Sequence, residues 1–362
     1  MEMALLKAND IEHGPIECVF TRDEETGLTG AFEMKPGFMT GDYLINLDSE
    51  DEGQLFVSCA GGVRTEATYT VDEEKLPEGF STFNLVVKGL TGGHSGDDIN
   101  KKRANANKLL VRFLWEQSEK TDLRLCDIQA GGLHNAIPRE AHATVAVPTA
   151  YVATFGEELQ AFVEKVRDEF SATEPELTAV IEPVAAAPTC ICKEQAERLL
   201  KSLSVVHNGI FAMSQDLEGL VETSSNLASV RKHGNQIVAT TSQRSSVASN
   251  LEYMASVVRS AFELGGAKCV TNEGYPGWKM NPDSKLVDVA VEEYKKLFGK
   301  EPKVLGIHAG LECGLISEKY PNVDMMSVGP TLRFVHTPDE RLLIPTAQMV
   351  WDHLLAILKN IR

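Results

Sequence analysis

The sequence predicts an α/β fold in which one discontinuous domain is interrupted by an inserted α+β domain. Strand-like apolar runs alternate with helical patterns at both ends of the chain, as in a mostly parallel sheet. The pattern changes after Gly62 and returns near residue 270, so we assign one domain to residues 1–62 and 270–362. Residues 63–269 would form the inserted domain, with an antiparallel sheet and helices on one face. A length of 362 residues also favours two domains.

Each element of the discontinuous domain is predicted from the period of its apolar residues. The expected elements are a helix over 2–9, a strand near 16–21, a short helix near 26–34, strands near 43–48 and 54–60, a helix from 282 to about 298, strands near 303–307 and 324–328, and a helix over 345–360. In parallel sheets, functional residues gather at the carboxyl ends of the strands. The acidic residues that follow the early strands are expected to lie there.

The inserted domain is predicted in the same way. Its expected elements are a strand over 83–90, a helix over 100–118, strands near 123–129 and 142–148, a helix over 154–170, a strand near 176–184, a helix near 193–206, strands near 226–231 and 236–242, and a helix over 248–264. The first of these strands runs into a glycine-rich loop that contains His94. Glycines allow the backbone to pack closely around an imidazole.

The composition excludes several classes of partner. With 35 basic and 52 acidic residues, the chain has a net charge of −17, which repels phosphate backbones and anionic lipids. We therefore expect neither nucleic acid nor a membrane surface as a partner. The seven cysteines are scattered and odd in number, which indicates reduced thiols and a cytoplasmic location. No apolar run approaches the length of a membrane span, and Met1–Lys7 is too short for a signal peptide.

The adjacent carboxylates Glu24 and Glu25 follow the first predicted strand, and Asp48 closes the next one. The two carboxylates of such a pair can have different roles. One can hold a divalent metal, and its neighbour can act as general base to the metal-bound water. The residues alone leave structural alternatives open. Glu24 and Glu25 also suit the start of a helix, and Asp48 suits a turn.

Six segments together resemble the aminoacyl-histidine dipeptidase (Xaa-His dipeptidase, peptidase D) family, which is related to the carnosinases and aminoacylase-type zinc metallopeptidases. They occur in the family's order and extend over essentially the whole chain from residue 4. The segments are Asp23-Glu24-Glu25-Thr26-Gly27, Asn46-Leu47-Asp48-Ser49-Glu50, Gly92-Gly93-His94-Ser95-Gly96, Gly131-Gly132-Leu133-His134-Asn135-Ala136-Ile137-Pro138, His308-Ala309-Gly310-Leu311-Glu312-Cys313-Gly314 and His336-Thr337-Pro338-Asp339-Glu340.

This resemblance implies a zinc-peptidase-like catalytic domain with an inserted lid, through which two subunits form a homodimer. It also implies two zinc ions per subunit, although other divalent ions could serve. Glu24 would be the general base, and His94 would stabilise the oxyanion, in several relatives that of the partner subunit. Glu25 and His336 would ligate one metal, and Asp48 would ligate the other. Without the resemblance, His94 could be a flexible loop tip and His336 a surface residue.

The resemblance further implies a set of substrate-binding residues. Asn135 and Arg244 would bind the C-terminal end of the substrate, with Arg244 making a forked contact to its carboxylate. Gly310 and Glu312 would line the pocket, and Glu312 would meet the substrate's amino group. Ordinary surface roles for Asn135 and Arg244, and a buried helix-start role for Glu312, remain open from the residues alone.

The predicted function is metal-dependent hydrolysis of Xaa-His dipeptides by a metal-activated water. The family's His-x-Asp segment and its metal-bridging aspartate have no counterpart in these 362 residues. Since catalytic zinc sites normally use about three protein ligands, we expect impaired activity in this chain. The alternative is a non-catalytic homologue that binds peptides or mediates oligomerisation.

Overall fold

The computed structural model describes residues 1–24, 28–334 and 339–361. Its α-helices in these ranges are α1 (Glu2–Leu5), α2 (Thr29–Glu33), α3 (Ala106–Ser118), α4 (Val152–Glu169), α5 (Lys193–Val205), α6 (Ala248–Leu264), α7 (Lys285–Phe298), α8 (Glu312–Lys319) and α9 (Ile344–Asn360). Local signals fix the ends of α7. The Ser284 hydroxyl accepts a hydrogen bond from the backbone N–H of Val287, and Gly299 ends the helix with φ +66°.

The strands of the described residues follow the predicted alternation of apolar runs in most places. In chain order they are β1 (Tyr43–Asn46), β2 (Gln54–Cys59), β3 (Gly61–Thr70), β4 (Glu73–Lys75), β5 (Phe80–Lys88), β6 (Gly93–His94), β7 (Arg124–Gly131), β8 (Ala136–Ile137), β9 (Ala141–Pro148), β10 (Thr178–Pro183), β11 (Thr189–Ile191), β12 (Gly209–Met213), β13 (Val221–His233), β14 (Gln236–Ser245), β15 (Lys268–Thr271), β16 (Lys303–Ile307), β17 (Asp324–Ser327), β18 (Leu332–Arg333) and β19 (Arg341–Leu342).

A four-stranded sheet is built from both ends of the chain, in the order β1-β17-β2-β16. The outer pairs, β1 with β17 and β16 with β2, are parallel. They join through a single antiparallel pairing of Ser327 with Phe56. Leu55 of β2 and Met326 of β17 pack in one buried cluster with residues of α7 and α9. This sheet agrees with the mostly parallel sheet expected from the sequence.

A nine-stranded antiparallel sheet occupies the middle of the chain, in the order β10-β5-β9-β7-β13-β14-β3-β15, and β12 pairs with β13. Helices α3 to α6 pack on one of its faces, where Phe113, Phe155 and Phe262 are fully buried. Burial of aromatic side chains on this scale is a principal source of a core's stability. The sequence predicted this arrangement of an antiparallel sheet covered by helices.

The chain crosses between the two sheets at two adjacent points. Strand β2 passes into β3 with only Ala60 between them, and the return crossing pairs Tyr275 with Gly62. A side chain on Gly61 would have its Cβ 2.4 Å from the backbone nitrogen of Gly277, so only glycine allows this approach. The predicted domain boundaries at 62/63 and 269/270 stay predictions.

The strand predicted near 16–21 is wrong. These residues form no helix or strand, and they pair with no other described strand. Their apolar pattern indicated burial, and Val19 does pack against a buried cluster. A strand also needs a neighbouring strand for its hydrogen bonds, whereas here the carboxylate of Glu17 accepts hydrogen bonds from the backbone and hydroxyl of Thr40. Glu24 therefore does not follow a strand.

Other elements are shorter than predicted. Helix α1 covers only Glu2–Leu5, α3 begins at Ala106 rather than at residue 100, and β1 ends at Asn46. Strands β3, β12 and β15 were not predicted, nor were the two- and three-residue strands β4, β6, β8, β11, β18 and β19. Among the described residues, no helix combines the length and apolar character that crossing a membrane would require.

Candidate active site

Arg244 lies near the end of β14. Side chains alternate between the two faces of a strand, and Ala239 packs in the helix-covered core, so Arg244 projects from the opposite, open face. Its neighbours in register are Ser224 on β13 and Gly62 on β3. Only 8% of Arg244 is exposed. The open face of the sheet thus holds a buried cation.

The guanidinium of Arg244 has one strong hydrogen bond among the described residues. Its Nη1 donates to the Tyr275 hydroxyl at 2.7 Å, and its Nη2 lies 3.5 Å from Nε2 of His94. Its Nε is buried and has no hydrogen-bond partner in the part of the chain that the structure describes. The described residues place no carboxylate in an ion pair with it, so most of its donor capacity is left for a ligand.

His94 is held in a compact loop beside Arg244. Strand β6 pairs with β8, and the His94 backbone N–H donates to Asp98 Oδ2 at 2.7 Å. The backbone N–H groups of Gly96 and Asp97 both point at His94 Nδ1, at 3.3 and 3.2 Å. An acceptor at Nδ1 puts the proton of the neutral ring on Nε2. Burial lowers the pKa of His94 and the charge of Arg244 lowers it further, whereas the charges of Asp97 and Asp98 raise it, and the net shift is downward, which favours the neutral ring.

His308 lies on the loop that follows β16 and reaches the same open face. Its Nε2 lies 2.8 Å from the Ser224 hydroxyl, and its Nδ1 is buried without a hydrogen-bond partner among the described residues. Burial, with a further contribution from the charge of Arg244, lowers the pKa of His308 to about 3. The imidazole is therefore neutral at physiological pH. It links the four-stranded sheet to β13.

The loop after β7 brings Asn135 to this group. The Asn135 carbonyl accepts a hydrogen bond from the Ser95 backbone at 2.8 Å, next to His94. Asn226 on β13 donates to the Ala136 carbonyl at 2.9 Å and anchors the loop to the sheet. The Asn135 side chain is exposed. His134, to which no role was assigned, has a pKa lowered first by burial and then by the charges of Arg64 and Arg244.

The acidic residues Glu312 and Asp48 lie on a different set of segments and interact electrostatically. Glu312 begins α8, and its Oε1 is buried without a hydrogen-bond partner among the described residues. Burial raises the pKa of the Glu312 carboxyl, and the charge of Asp48 raises it further, although a hydrogen bond with Thr21 lowers it. Asp48 lies two residues beyond β1. Two carboxylates close enough to interact favour a cation between or beside them.

We call His94, Arg244, Tyr275 and His308 the basic end, and Asp48 with Glu312 the acidic end. Of the predicted residues, the structure gathers His94, Asn135 and Arg244 at the basic end. Gly310 lies against it, since its hypothetical Cβ would be 2.8 Å from Cε2 of Tyr275.

At the acidic end, Thr21 contacts Glu312 only three residues before Glu24. The carbonyl of Glu24 accepts a hydrogen bond from Leu28 at 3.0 Å, which agrees with the helix-start alternative for its backbone. Glu25 and His336, the two predicted ligands of one metal, lie outside the described residues.

Comparison with known proteins assigns the family. The sequence model of peptidase family M20/M25/M40 matches residues 2–360. The chain belongs to this family. It is 39% identical over 359 residues to the cytosol non-specific dipeptidase of Escherichia coli strain K12, which covers 99% of this chain and 74% of that protein.

A solved structure in the M20 family extends the comparison. The crystal structure of aminoacylhistidine dipeptidase from Vibrio alginolyticus matches with a TM-score of 0.96 at 40% identity, over 99% of this chain and 74% of that one. The structure of a tripeptidase from Staphylococcus aureus matches with a TM-score of 0.52 at 15% identity. The match covers 99% of this chain and 67% of the tripeptidase chain, and it shows a shared fold only. The predicted resemblance to the aminoacyl-histidine dipeptidases is confirmed, and the mixed α/β architecture is that of an M20 peptidase.

M20 peptidases are metallopeptidases, so the donor set for a metal matters. In residues 1–24, 28–334 and 339–361, no three His, Cys, Asp or Glu side chains are grouped so that they could hold an ion. Asp48 is the one predicted ligand within these ranges. Catalytic zinc normally takes about three protein ligands, so the described residues do not by themselves form a metal site. The predicted zinc sites stay a prediction.

Sequence reasoning missed two members of the basic end. His308 opens a segment that the M20 resemblance had marked, but only Gly310 and Glu312 were given roles there. Tyr275 stands in the run Gly274-Tyr275-Pro276-Gly277, which is typical of a turn. The sequence did carry a signal for Tyr275. It is a tyrosine between turn residues, at the point where the chain returns to its first domain.

Proposed function

We propose that this M20 chain is a metal-dependent dipeptidase that hydrolyses Xaa-His dipeptides. The observation that carries the proposal is Arg244, a buried guanidinium to which the described residues offer no carboxylate. A buried charge without a counter-ion costs several kcal/mol, and a bound carboxylate with matching geometry offsets that cost. The free C-terminus of a dipeptide is such a group, whereas the interior of a longer peptide has none.

The remaining residues supply complementary contacts along the substrate. The neutral Nε2–H of His94 is suited to donate to the carbonyl oxygen of the scissile bond as negative charge develops there. Asn135 lies beside it and would bind the C-terminal residue. At the opposite end, the buried Glu312 beside Asp48 would be stabilised by the positive amino group of the substrate.

Glu24 is the proposed general base, with Glu25, Asp48 and His336 as the proposed zinc ligands, at two zinc ions per subunit. Zinc, when bound, supplies a Lewis acid and an acidified water. The chain's own part is to orient the dipeptide through the basic end and to accept a proton at Glu24. One relative is an aminoacylhistidine dipeptidase and the other is a non-specific dipeptidase. Of these two substrate ranges, we propose Xaa-His dipeptides for this chain.

Glycyl-histidine and its C-terminal amide test the proposal directly. We expect the purified chain to bind glycyl-histidine at least about tenfold more tightly than the amide, because only the former has a carboxylate for Arg244. Hydrolysis with added zinc should be abolished in Glu24→Gln, and glycyl-leucine should be a poorer substrate. Equal binding of the two compounds by calorimetry would refute the role of Arg244.

A second candidate, a non-catalytic peptide-binding homologue, is favoured by one observation. The basic end is held together by contacts among His94, Arg244, Tyr275, His308 and Ser224, and none of these residues is a predicted metal ligand. Carboxylate-dependent binding with no turnover, and with the same Kd in the presence of zinc or a chelator, would select this candidate. The reduced activity expected from the sequence is checked in the same measurement, as kcat.

We also propose that the inserted domain mediates a homodimer. Strand β12 is paired on one side by β13 and exposes Ile210, Phe211 and Met213, and Tyr253 of α6 extends this apolar strip. Exposed apolar strips and open strand edges are typical of association surfaces. Light scattering should report a dimer that Phe211→Asp dissociates and that Phe38→Asp, at an exposed site in the other domain, leaves intact.

The seven cysteines are free thiols in the structure. Reduced thiols support the proposed cytoplasmic location.

A further inference from the structure

Tyr275 lies at the return crossing between the two sheets, with its hydroxyl on Arg244. Its backbone is fixed by two hydrogen bonds, since the N–H of Gly62 donates to its carbonyl at 2.9 Å and its own N–H donates to the Gly62 carbonyl at 3.0 Å. The position of the ring is therefore set by the crossing itself. No role had been assigned to this residue.

Two glycines form the seat of the Tyr275 ring. A Cβ on Gly62 would lie 2.8 Å from the Tyr275 hydroxyl oxygen, and a Cβ on Gly310 would lie 2.8 Å from Cε2. Both distances are shorter than ordinary contacts between carbon and its neighbours. Because a side chain at either position would displace the ring, the two glycines allow the phenol to reach Arg244.

The hydrogen bond to Tyr275 holds one side of the Arg244 guanidinium. Nη1 donates one of its N–H groups to Tyr275 at 2.7 Å, while on the other side Nε has no partner among the described residues and the nearest contact of Nη2 is His94 Nε2 at 3.5 Å. These two nitrogens form one edge of the planar guanidinium. Such an edge donates two parallel hydrogen bonds to a carboxylate.

We infer that Tyr275 is a positioning residue that locks the guanidinium of Arg244 so that its Nε–Nη2 edge receives the ligand carboxylate beside His94. Gly310 and Gly62 act through Tyr275, because the absence of a side chain at Gly310 leaves space for the tyrosine ring. The ligand's identity rests on the proposed function. The lock between Tyr275 and Arg244 does not, and it can be measured in the free protein.

The first test is side-chain NMR on the unliganded chain. With ¹⁵N-labelled arginine, the Arg244 resonances are assigned by their disappearance in Arg244→Lys. We expect hindered rotation of the Arg244 guanidinium in the wild type and fast rotation in Tyr275→Phe, which keeps the ring and removes the oxygen. Gly310→Ala should resemble Tyr275→Phe. Tyr151→Phe, at a partly buried tyrosine just before α4, is the matched control and should leave Arg244 unchanged.

The second test measures binding of glycyl-histidine and glycyl-histidinamide by calorimetry. Tyr275→Phe should weaken glycyl-histidine binding about tenfold, the effect of one hydrogen bond to a charged group, and leave amide binding unchanged. Its melting temperature should match that of the wild type, which excludes general unfolding as the cause.

The two tests separate the inference from the proposed function. Unchanged guanidinium rotation in Tyr275→Phe overturns the inference, whatever the ligand. Equal binding of the acid and the amide by the wild type, together with the expected NMR change, overturns the carboxylate assignment of the proposed function and leaves the lock standing.

Discussion

The basic and acidic ends of the site are built in different ways. Arg244 projects from the middle of an antiparallel sheet, and His94, Tyr275 and His308 are each fixed by hydrogen bonds to strands or to a closed loop. The residues of the acidic end lie at the start of a helix and on loops. One carboxylate oxygen of Glu312 is buried and has no hydrogen-bond partner among the described residues. The proposed recognition of a carboxylate would thus rest on side chains that the fold already holds in place, whereas the proposed acidic end would depend on an added positive charge. The two ends can be perturbed separately.

The largest expected effect is on turnover, at the acidic end. Glu24→Gln removes the proposed general base and should lower kcat about 10³-fold. The Kd for glycyl-histidine should stay within twofold, because the basic end is intact. Both constants are measured with zinc present, kcat from the rate of glycyl-histidine hydrolysis. Glu164→Gln, on the exposed side of α4, is the control variant. A large loss of affinity in Glu24→Gln would show that the two ends are not separable.

The next effect is on affinity, at the basic end. Arg244→Met should weaken glycyl-histidine binding about 100-fold, since a forked contact to a carboxylate is lost. The same variant should not lose stability, because it removes a buried charge to which the described residues provide no counter-ion. Calorimetric titration and thermal unfolding give the two values. A marked drop in melting temperature would mean that Arg244 is structural rather than a ligand-binding residue.

The third effect is on stability at acid pH. The folded-state pKa of His308, about 3, lies below its ordinary value of 6.5, so its neutral form stabilises the fold fully above pH 6.5 and this stabilisation is lost as the pH falls toward 3. At pH 4.5 the loss is roughly 2–3 kcal/mol. Urea unfolding at pH 7 and 4.5 should therefore reveal a smaller pH dependence in His308→Gln. Substitution of the exposed His233 by Gln is the control, and an unchanged slope in His308→Gln would contradict the prediction.

The smallest effect concerns the loop that carries His94. The buried carboxylate of Glu174 accepts hydrogen bonds from the backbone of Thr91 at 2.6 Å and of Ala104 at 2.9 Å, and so joins the two ends of this loop. Glu174→Gln should cost about 1–2 kcal/mol of stability. Hydrogen exchange should speed up in residues 91–104 and stay unchanged in α7. Equal exchange rates in the wild type and in Glu174→Gln would show that the loop keeps its conformation without the Glu174 carboxylate.

Local signals made much of the fold predictable. Helix α7 was expected from 282 to about 298, and its observed bounds follow from the Ser284 cap and the Gly299 stop. The run at 16–21 misled because an apolar pattern reports burial, whereas a strand also requires a neighbour. Strand β3 was missed because Gly61, Gly62 and Glu66 disguise its alternation.

The site was predictable where a short motif carries the residue, and only there. His94 and Asn135 sit in glycine-rich segments that mark them, and both reach the basic end. Tyr275 lies 31 positions after Arg244 in the sequence, and His308 lies 84 positions after Ser224. No local pattern encodes such contacts, because they arise from the way the chain crosses between the sheets.

The crossing itself has a consequence for engineering. The chain leaves the four-stranded sheet and comes back to it through Gly62 and Tyr275, which face each other across a single pair of backbone hydrogen bonds. The two ends of the segment between Gly62 and Tyr275 are therefore as close to each other as the two strands of a β-hairpin. A segment with adjoining ends can be inserted into a hairpin of another protein without stretching either backbone. The segment that carries Arg244 on β14 can therefore be transferred as one unit.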